Sequence, residues 1–187
     1  LRLNEGADPQ GPSCIALLCQ NLTGYRNLTR LVSRAWLEGQ SRGVPLVERA
    51  WLTRATTAGL IALSCAQRGD VGRALLQGRG AQAERALAAW LELFGDRYYL
   101  EVQRIGAPGE DLYVPAALAL ASARDVPAVA TNEVRFLRPE DFEAHEARVC
   151  IHDGALLADP ARPRRYTPQQ FLRSPAQMQH LFPEAPA

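Results

Sequence analysis

The residues able to do chemistry in this 187-residue chain are few and scattered. His145 and His152 lie seven apart on one helical stretch, on the same face but ~10 Å apart along the axis. That is too far for both to ligate one ion at ~2.1 Å. The run His-Glu-Ala-Arg-Val at 145–149 begins like the zinc motif H-E-x-x-H and lacks its second histidine. Cys14, Cys19, Cys65 and Cys150 form no C-x-x-C pair. They read as reduced thiols of a cytoplasmic protein rather than as a disulfide frame or a zinc site. There is no G-x-S-x-G and no Walker A loop. Gly-Arg-Gly-Ala-Gln-Ala at 78–83 fits the loose form G-x-G-x-x-A, but what precedes it does not read as a strand, so it reads as a turn.

What remains is a set of carboxylates, Glu101, Glu133 and Asp70, with almost no imidazole beside them. They either bind metal or pair with Arg135, Arg104 or backbone amides. The second reading is favoured, because hard-metal phosphoesterase clusters generally mix histidine with carboxylates. The stretch 127–136, Pro-Ala-Val-Ala-Thr-Asn-Glu-Val-Arg-Phe, poses the question most sharply. It starts as a buried strand and turns polar where a parallel strand ends, which is where α/β proteins place their chemistry. Glu133 and Arg135 are two apart, so on a strand they share a face. Arg135 is expected to pair with Glu133 or Glu101.

The elements that must position these residues follow from periodicity. Residues 14–21 are a short apolar run of strand length. Tyr25, Leu28, Leu31, Val32, Ala35 and Trp36 recur at helical spacing, predicting a helix that buries this stripe. Arg26, Arg30 and Arg34 form a second stripe on it, either a phosphate-contacting face or a solvated surface. The latter is favoured, since no aromatic or Gly-rich motif accompanies it. Residues 45–55 read as a short helix, 59–66 as a strand turning polar at Ser64, and 81–95 as a helix stopped by Gly95. Residues 98–103 read as a strand and 110–125 as a helix with Pro115 near its first turn. After the strand at 127–131, residues 138–154 read as a helix with Pro139 and acids at its start and Gly154 at its end. In the tail, Thr167-Pro-Gln-Gln170 and Ser174-Pro-Ala-Gln177 are capping boxes predicting two short helices.

From 59 to 154 strands and helices alternate, so a parallel sheet is expected, with Ser64, Cys65, Glu101, Gln103, Thr131, Asn132 and Glu133 on one rim. A closed barrel usually needs ~250 residues. The chain supplies roughly half the units, opens on Leu1 and reads as a piece of something longer. Its formal net charge of +1, carried without a single lysine, gives no reason to expect general affinity for nucleic acid or anionic membrane. No run approaches the ~18 apolar residues of a membrane span, and no signal peptide is visible.

Five stretches together, 21–36, 59–75, 96–104, 127–154 and 164–174, resemble one family: the polymerase-and-histidinol-phosphatase (PHP) domain at the N-terminus of the bacterial DNA polymerase III α subunit. The resemblance runs from about Ile15 to the end. It implies an α/β fold, part of a distorted parallel (β/α)7 TIM-like barrel, over 1–154, and a helical tail leading out of the domain over 155–187. In members with an intact site, His, Asp, Glu and Cys residues on the rim hold metals associated with phosphoesterase or proofreading activity. The family pattern T-N-D-V-H-Y falls on 131–136, so its Asp has become Glu133 and its ligand His has become Arg135. The Cys of L-S-G-C-L-G-G-E falls on Ala66, with Cys65 one place early and expected on the opposite face. The His of E-V-Q-N-H-G falls on Ile105. Arg stays protonated and has no free lone pair, and Ala and Ile cannot ligate at all.

The resemblance therefore implies an eroded site at Ala66, Ile105, Glu133 and Arg135, with Glu101, Glu133 and Asp70 as possible residual carboxylates. It implies a non-catalytic piece of a DNA-directed DNA polymerase, with no cofactor of its own and with Mg in the polymerase active site elsewhere in the parent chain. Its expected partners are the rest of the α chain, a proofreading exonuclease subunit and, through the polymerase, DNA. The alternative is a metal-dependent phosphoesterase or 3′–5′ exonuclease with a reduced site. An interaction domain unrelated to replication is a third reading.

Overall fold

The structure is a computed structural model that describes residues 1–4 and 11–183. In chain order the elements are β1 (Arg2–Asn4), β2 (Ser13–Cys14), β3 (Ala16–Cys19), α1 (Leu22–Leu37), β4 (Gln40–Ser41), β5 (Val44–Pro45), β6 (Val47–Glu48) and β7 (Leu60–Leu63). Then follow α2 (Asp70–Leu76), α3 (Gly80–Phe94), β8 (Tyr98–Gln103), α4 (Glu110–Ala123), β9 (Ala128–Thr131), α5 (Phe142–Asp153) and α6 (Pro175–Leu181). The chain packs as two units, Leu1–Val102 with Asp111–Val129, and Gln103–Glu110 with Ala130–Ala187.

The fold is mixed α/β, and no closed barrel forms among the described residues. The main sheet has the order β3-β7-β8-β9. β7 and β8 are parallel, as the βα spacing predicts, with Ala62 opposite Tyr98. β3 runs antiparallel to β7, Ala16 opposite Leu63 and Cys19 opposite Leu60. A second sheet, β2-β1-β6, is likewise mixed. The parallel pairing expected for residues 59–154 is seen between β7 and β8, and the N-terminal strands add antiparallel pairs.

In the first unit the helices α2 and α3 pack together, and Leu60, Leu87, Trp90, Phe94, Tyr98 and Leu100 are buried in its core. Trp90 stacks on Tyr98 with centroids 6.1 Å apart and planes within 8°. α3 stops at Gly95, whose φ of +59° an L residue rarely adopts. Three expectations fail here. Residues 45–55 are not a helix: Val44–Pro45 pairs with β4, Val47–Glu48 pairs with β1, and only Arg49–Trp51 coils, as one 3-10 turn. A local hairpin with β4 and a long-range pairing with β1 override the helical pattern. Pro115 sits in the second turn of α4 rather than the first. In α1, Leu31 and Ala35 are buried with Gly24, but Tyr25, Val32 and Trp36 are exposed.

In the second unit a 3-10 turn at Pro139–Asp141 leads into α5; the Asp141 carboxylate accepts the Arg138 N–H at 3.0 Å at the start of that turn, and α5 is ended by Gly154 in the left-handed region. α6 carries the expected reciprocal cap: Ser174 N–H donates to Gln177 Oε1 at 2.8 Å and Gln177 N–H to Ser174 Oγ at 3.3 Å. The first capping box does not start a helix. Thr167 N–H does reach Gln170 Oε1 at 2.9 Å, but Phe171 then pairs with Phe136 as a parallel bridge and the chain stays extended.

One close approach sets the position of α1. A Cβ built on Gly24 would lie 1.8 Å from the Gly59 carbonyl oxygen, a backbone atom that cannot move aside alone. Gly24→Ala should therefore lower the unfolding free energy by about 1–3 kcal/mol, although alanine is the better helix former. Gly80→Ala, at a helix start with open space around it, should be neutral or stabilising. Urea denaturation of both variants checks this, and an unchanged midpoint for Gly24→Ala would refute the close-approach argument.

Candidate functional site

The polar residues at the strand ends are largely occupied by their own backbone. β7 ends at Leu63, and Ser64 extends its ladder in two ways: its N–H donates to Tyr99 O at 3.1 Å, and its hydroxyl accepts the Glu101 N–H at 2.9 Å. The Tyr113 hydroxyl donates to the Glu101 carbonyl at 2.6 Å. Burial pushes the Tyr113 phenol well above its ordinary range, with the Glu101 carboxylate adding to it and the Ser64 hydrogen bond opposing it. The Glu101 backbone is thus pinned on both sides, and its side chain is 6% exposed.

Cys65 and Ala66 both adopt positive φ, +58° and +47°. They lie beyond the strand, so the expected opposition of their faces by strand alternation does not apply. The positive φ at residue 65 falls where the family pattern carries glycine, the residue for which that backbone is unstrained. The Cys65 thiol is pushed up to about 12, first by burial and then by the nearby Glu101 carboxylate and Cys14.

Asp70 opens α2 and is fully engaged. It accepts the Trp90 indole N–H at 2.9 Å and the Arg49 guanidinium at 2.8 Å, and the guanidinium lies 3.8 Å over the Trp90 ring. It joins the 49–51 turn, α2 and α3.

In the second unit, Gln103 donates to the Thr131 hydroxyl at 2.9 Å. Ile105 is buried, its N–H taken by the Glu110 carboxylate at 2.8 Å. Asn132 donates to Phe171 O at 2.5 Å. β9 ends at Thr131, so Glu133 and Arg135 do not sit on a strand, yet the expected pair forms: the Arg135 guanidinium is hydrogen-bonded to Glu133 Oε1. The Arg135 N–H donates to Gln170 O at 2.8 Å, and its guanidinium lies 5.1 Å from the centre of the Tyr166 ring. Tyr166 meets His145 edge-on at 4.7 Å, and His145 packs on Phe136. Burial, with Arg148 and Arg135 nearby, lowers the His145 pKa and favours the neutral ring. Ala66, Asp70 and Glu101 belong to the first unit, and Ile105, Glu133 and Arg135 to the second.

Sequence reasoning takes Arg162, with Arg164 and Arg165, for a surface loop, and so misses the buried pair of this unit. Arg162 NH1 lies 2.6 Å from Glu146 Oε2, and the two side chains are 7% and 4% exposed. The only signal was a glutamate on the inner face of a helix.

Chemically, the positions that match family ligands offer little to a metal. Ala66 and Ile105 have no donor atom, and Arg135 is itself a cation. Among the described residues no group of three or more His, Cys, Asp or Glu side chains converges as ligands would. A metal cluster does not fit this donor set.

The two arginines give contrasting expectations. Arg162→Met strands the buried Glu146 carboxylate and should destabilise by about 3–5 kcal/mol. Arg135→Met removes a partly exposed pair and should cost about 0–1 kcal/mol. Chemical denaturation of both separates these, and equal losses would overturn the assignment. For Cys65, a thiol at about 12 leaves about one thiolate in ten thousand at pH 8. Iodoacetamide at pH 8 should modify exposed Cys19 in minutes and leave Cys65 intact, with Glu101→Gln speeding its modification; mass spectrometry showing equal rates would contradict this.

The PHP domain family model matches residues 4–105, more than half of the chain. The DNA polymerase III subunit alpha of Pseudomonas aeruginosa is 52% identical over 180 residues, 96% of this chain. That of Escherichia coli K12 is 49% identical and that of Vibrio cholerae 48%, each over 92% of this chain. The chain spans 15% of the length of each of these relatives. With the family pattern carried through the strand ends described above and matched over most of the sheet-forming residues, the chain belongs to the PHP domain family.

Proposed function

We propose that this chain is part of the α subunit of a replicative DNA polymerase, and that its PHP domain has lost its metal site. It then serves as a scaffold and as a docking surface for the proofreading exonuclease subunit. Polymerisation would use Mg and the carboxylates of a separate part of the parent chain, and this segment would catalyse nothing by itself. The remaining strands of the barrel would come from the parent chain as well.

The observation that carries the reading is the Arg135–Glu133 pair. Where intact relatives are expected to place a ligand histidine, this protein has an internal cation, and its nearest carboxylate answers that cation. A divalent ion there would have to compete with Arg135 for Glu133 and would be repelled by the guanidinium. Ala66 and Ile105, both buried and both apolar, support the same reading. No helix among the described residues is long and apolar enough to cross a membrane, which is compatible with a replication role.

The test uses the full-length parent chain. Its zinc and manganese content, measured by plasma mass spectrometry, is expected to be far below stoichiometric, with no phosphomonoesterase activity. Restoring donors with Ala66→Cys, Ile105→His and Arg135→His together is expected to raise metal uptake. Stoichiometric metal with phosphoesterase activity in the unmodified protein would sink the scaffold reading and favour the catalytic one.

A further inference from the structure

We propose that Cys14 and Cys65 are a redox pair, which a small-molecule disulfide oxidises to a cross-link joining β2 to the turn after β7. The proposal is independent of the scaffold reading above. The register of the main sheet brings the two residues together. β3 and β7 are antiparallel, with Ala16 opposite Leu63, Leu17 opposite Ala62 and Cys19 opposite Leu60. Two places beyond the Ala16–Leu63 pair, the same register sets Cys14 opposite Cys65. Opposed residues of an antiparallel pair have Cα atoms about 4.5–5.5 Å apart, a span that a disulfide bridges.

The ladder itself stops short of this point, because the backbone turns left-handed at Cys65, with φ of +58°. Three observations keep the two residues together beyond it. Both line one cavity of about 540 Å³, whose wall they share with Arg2, Ile15, Val47 and Arg68. The carbonyl oxygens of Ser64 and Cys14 both lie within 3.2 Å of the point where Gly69 would carry a Cβ. The thiols are also within electrostatic reach of each other. Burial and Glu101 push the Cys65 thiol up, Cys14 adds to them, and Arg68 opposes. Neither cysteine is fully buried.

The other uses of these thiols fit less well. A metal needs more donors than the pair supplies, and among the described residues no group of three or more His, Cys, Asp or Glu converges. Cys19 stands opposite Leu60, which offers no thiol, and Cys150 belongs to the second unit. In a reducing compartment the pair rests as two thiols and closes when small disulfides accumulate.

The chemistry is two successive exchanges. The Cys14 thiolate attacks one sulfur of the small disulfide, forms a mixed disulfide and expels a thiolate, which takes up the proton that Cys14 lost. Cys65 then loses its proton, and its sulfur attacks the Cys14 sulfur. The mixed disulfide breaks, and the second small thiol leaves with that proton. Two protein thiols are oxidised and one small disulfide is reduced to two thiols. Cys65 is a weak nucleophile toward reagents in solution, but this attack is intramolecular. Aligned neighbours react at effective concentrations far above that of any added reagent, so a thiol that iodoacetamide passes over still meets Cys14. The closed loop contains β3, α1 and β4 to β7, and the sheet β2-β1-β6 becomes covalently tied to the end of β7.

The test uses the full-length parent chain carrying Cys19→Ser. No arginine or lysine separates Cys14 from Cys19, so trypsin leaves both on peptide 3–26. Cys19 is exposed, and serine there should leave the fold unchanged. The protein is treated with glutathione disulfide, quenched with N-ethylmaleimide, digested without reduction and followed by mass spectrometry. Peptide 3–26 joined to peptide 55–68 is expected as the main product, and dithiothreitol is expected to separate the two. With Cys65→Ser, Cys14 should instead retain glutathione. With Cys14→Ser, Cys65 should be oxidised at least about tenfold more slowly.

Denaturing urea separates native proximity from chance encounter along the chain. There the cross-link is expected to fall at least about tenfold in favour of glutathione on each cysteine, because the alignment is lost. Glutathione held on Cys14 beside a free Cys65, no oxidation of either cysteine, a bridge from Cys65 to another cysteine, or equal cross-linking in urea would each overturn the proposal.

Discussion

The first unit is organised around one carboxylate. Asp70 accepts the Trp90 indole N–H and the Arg49 guanidinium at once, and Arg49 in turn lies flat on Trp90. Trp90 stacks on Tyr98, the first residue of β8. Four segments distant in sequence therefore share one polar contact set within an apolar core. Such a network is stabilising only while every member is present, since removing one leaves a desolvated donor or charge. The placement of α2 and α3 against the sheet follows from it. So does the engagement of Asp70, whose two carboxylate oxygens accept from Val71, Trp90 and Arg49.

The same logic governs the strand ends. Ser64 accepts the Glu101 amide, Tyr113 donates to the Glu101 carbonyl, Gln103 donates to Thr131, and Asn132 donates to Phe171 O. Ser64, Tyr113 and Asn132 each close a backbone group, and Gln103 bonds the Thr131 hydroxyl. The Arg135–Glu133 pair is a further case, a cation answered by a carboxylate two residues away.

Much of the architecture was legible from local pattern. Apart from α2, which no expectation covered, the elements from β7 to α5 fall close to their expected bounds, because their signals are short-range: Gly95 and Gly154 at helix ends, Pro139 and the acids near the start of α5, Ser174 at the start of α6, and β-branched or aromatic runs in strands. Residues 45–55 do not form the expected helix because Val44–Pro45 closes a tight hairpin on β4 and Val47–Glu48 pairs with β1, a partner too far along the chain for any local window to report. The Thr167 box was misread for a related reason: its capping hydrogen bonds form, but the bridge between Phe136 and Phe171 keeps the chain extended.

By itself, the sequence determined which residue types stand at the matching positions, and so which chemistry they can supply. Alanine, isoleucine and arginine cannot ligate a metal in any fold. It also determined that α1 would be a helix, with Tyr25, Leu28, Leu31, Val32, Ala35 and Trp36 as its apolar stripe. Only the tertiary structure decided which part of that stripe the core uses. Periodicity sees spacing but not neighbours, and Gly24, pressed against the Gly59 carbonyl, turns Leu31 and Ala35 inward and leaves Tyr25, Val32 and Trp36 exposed. The partners of Asp70, Glu101 and Glu146 were likewise settled by packing, because a carboxylate's role depends on which donors the folded chain brings within about 3 Å.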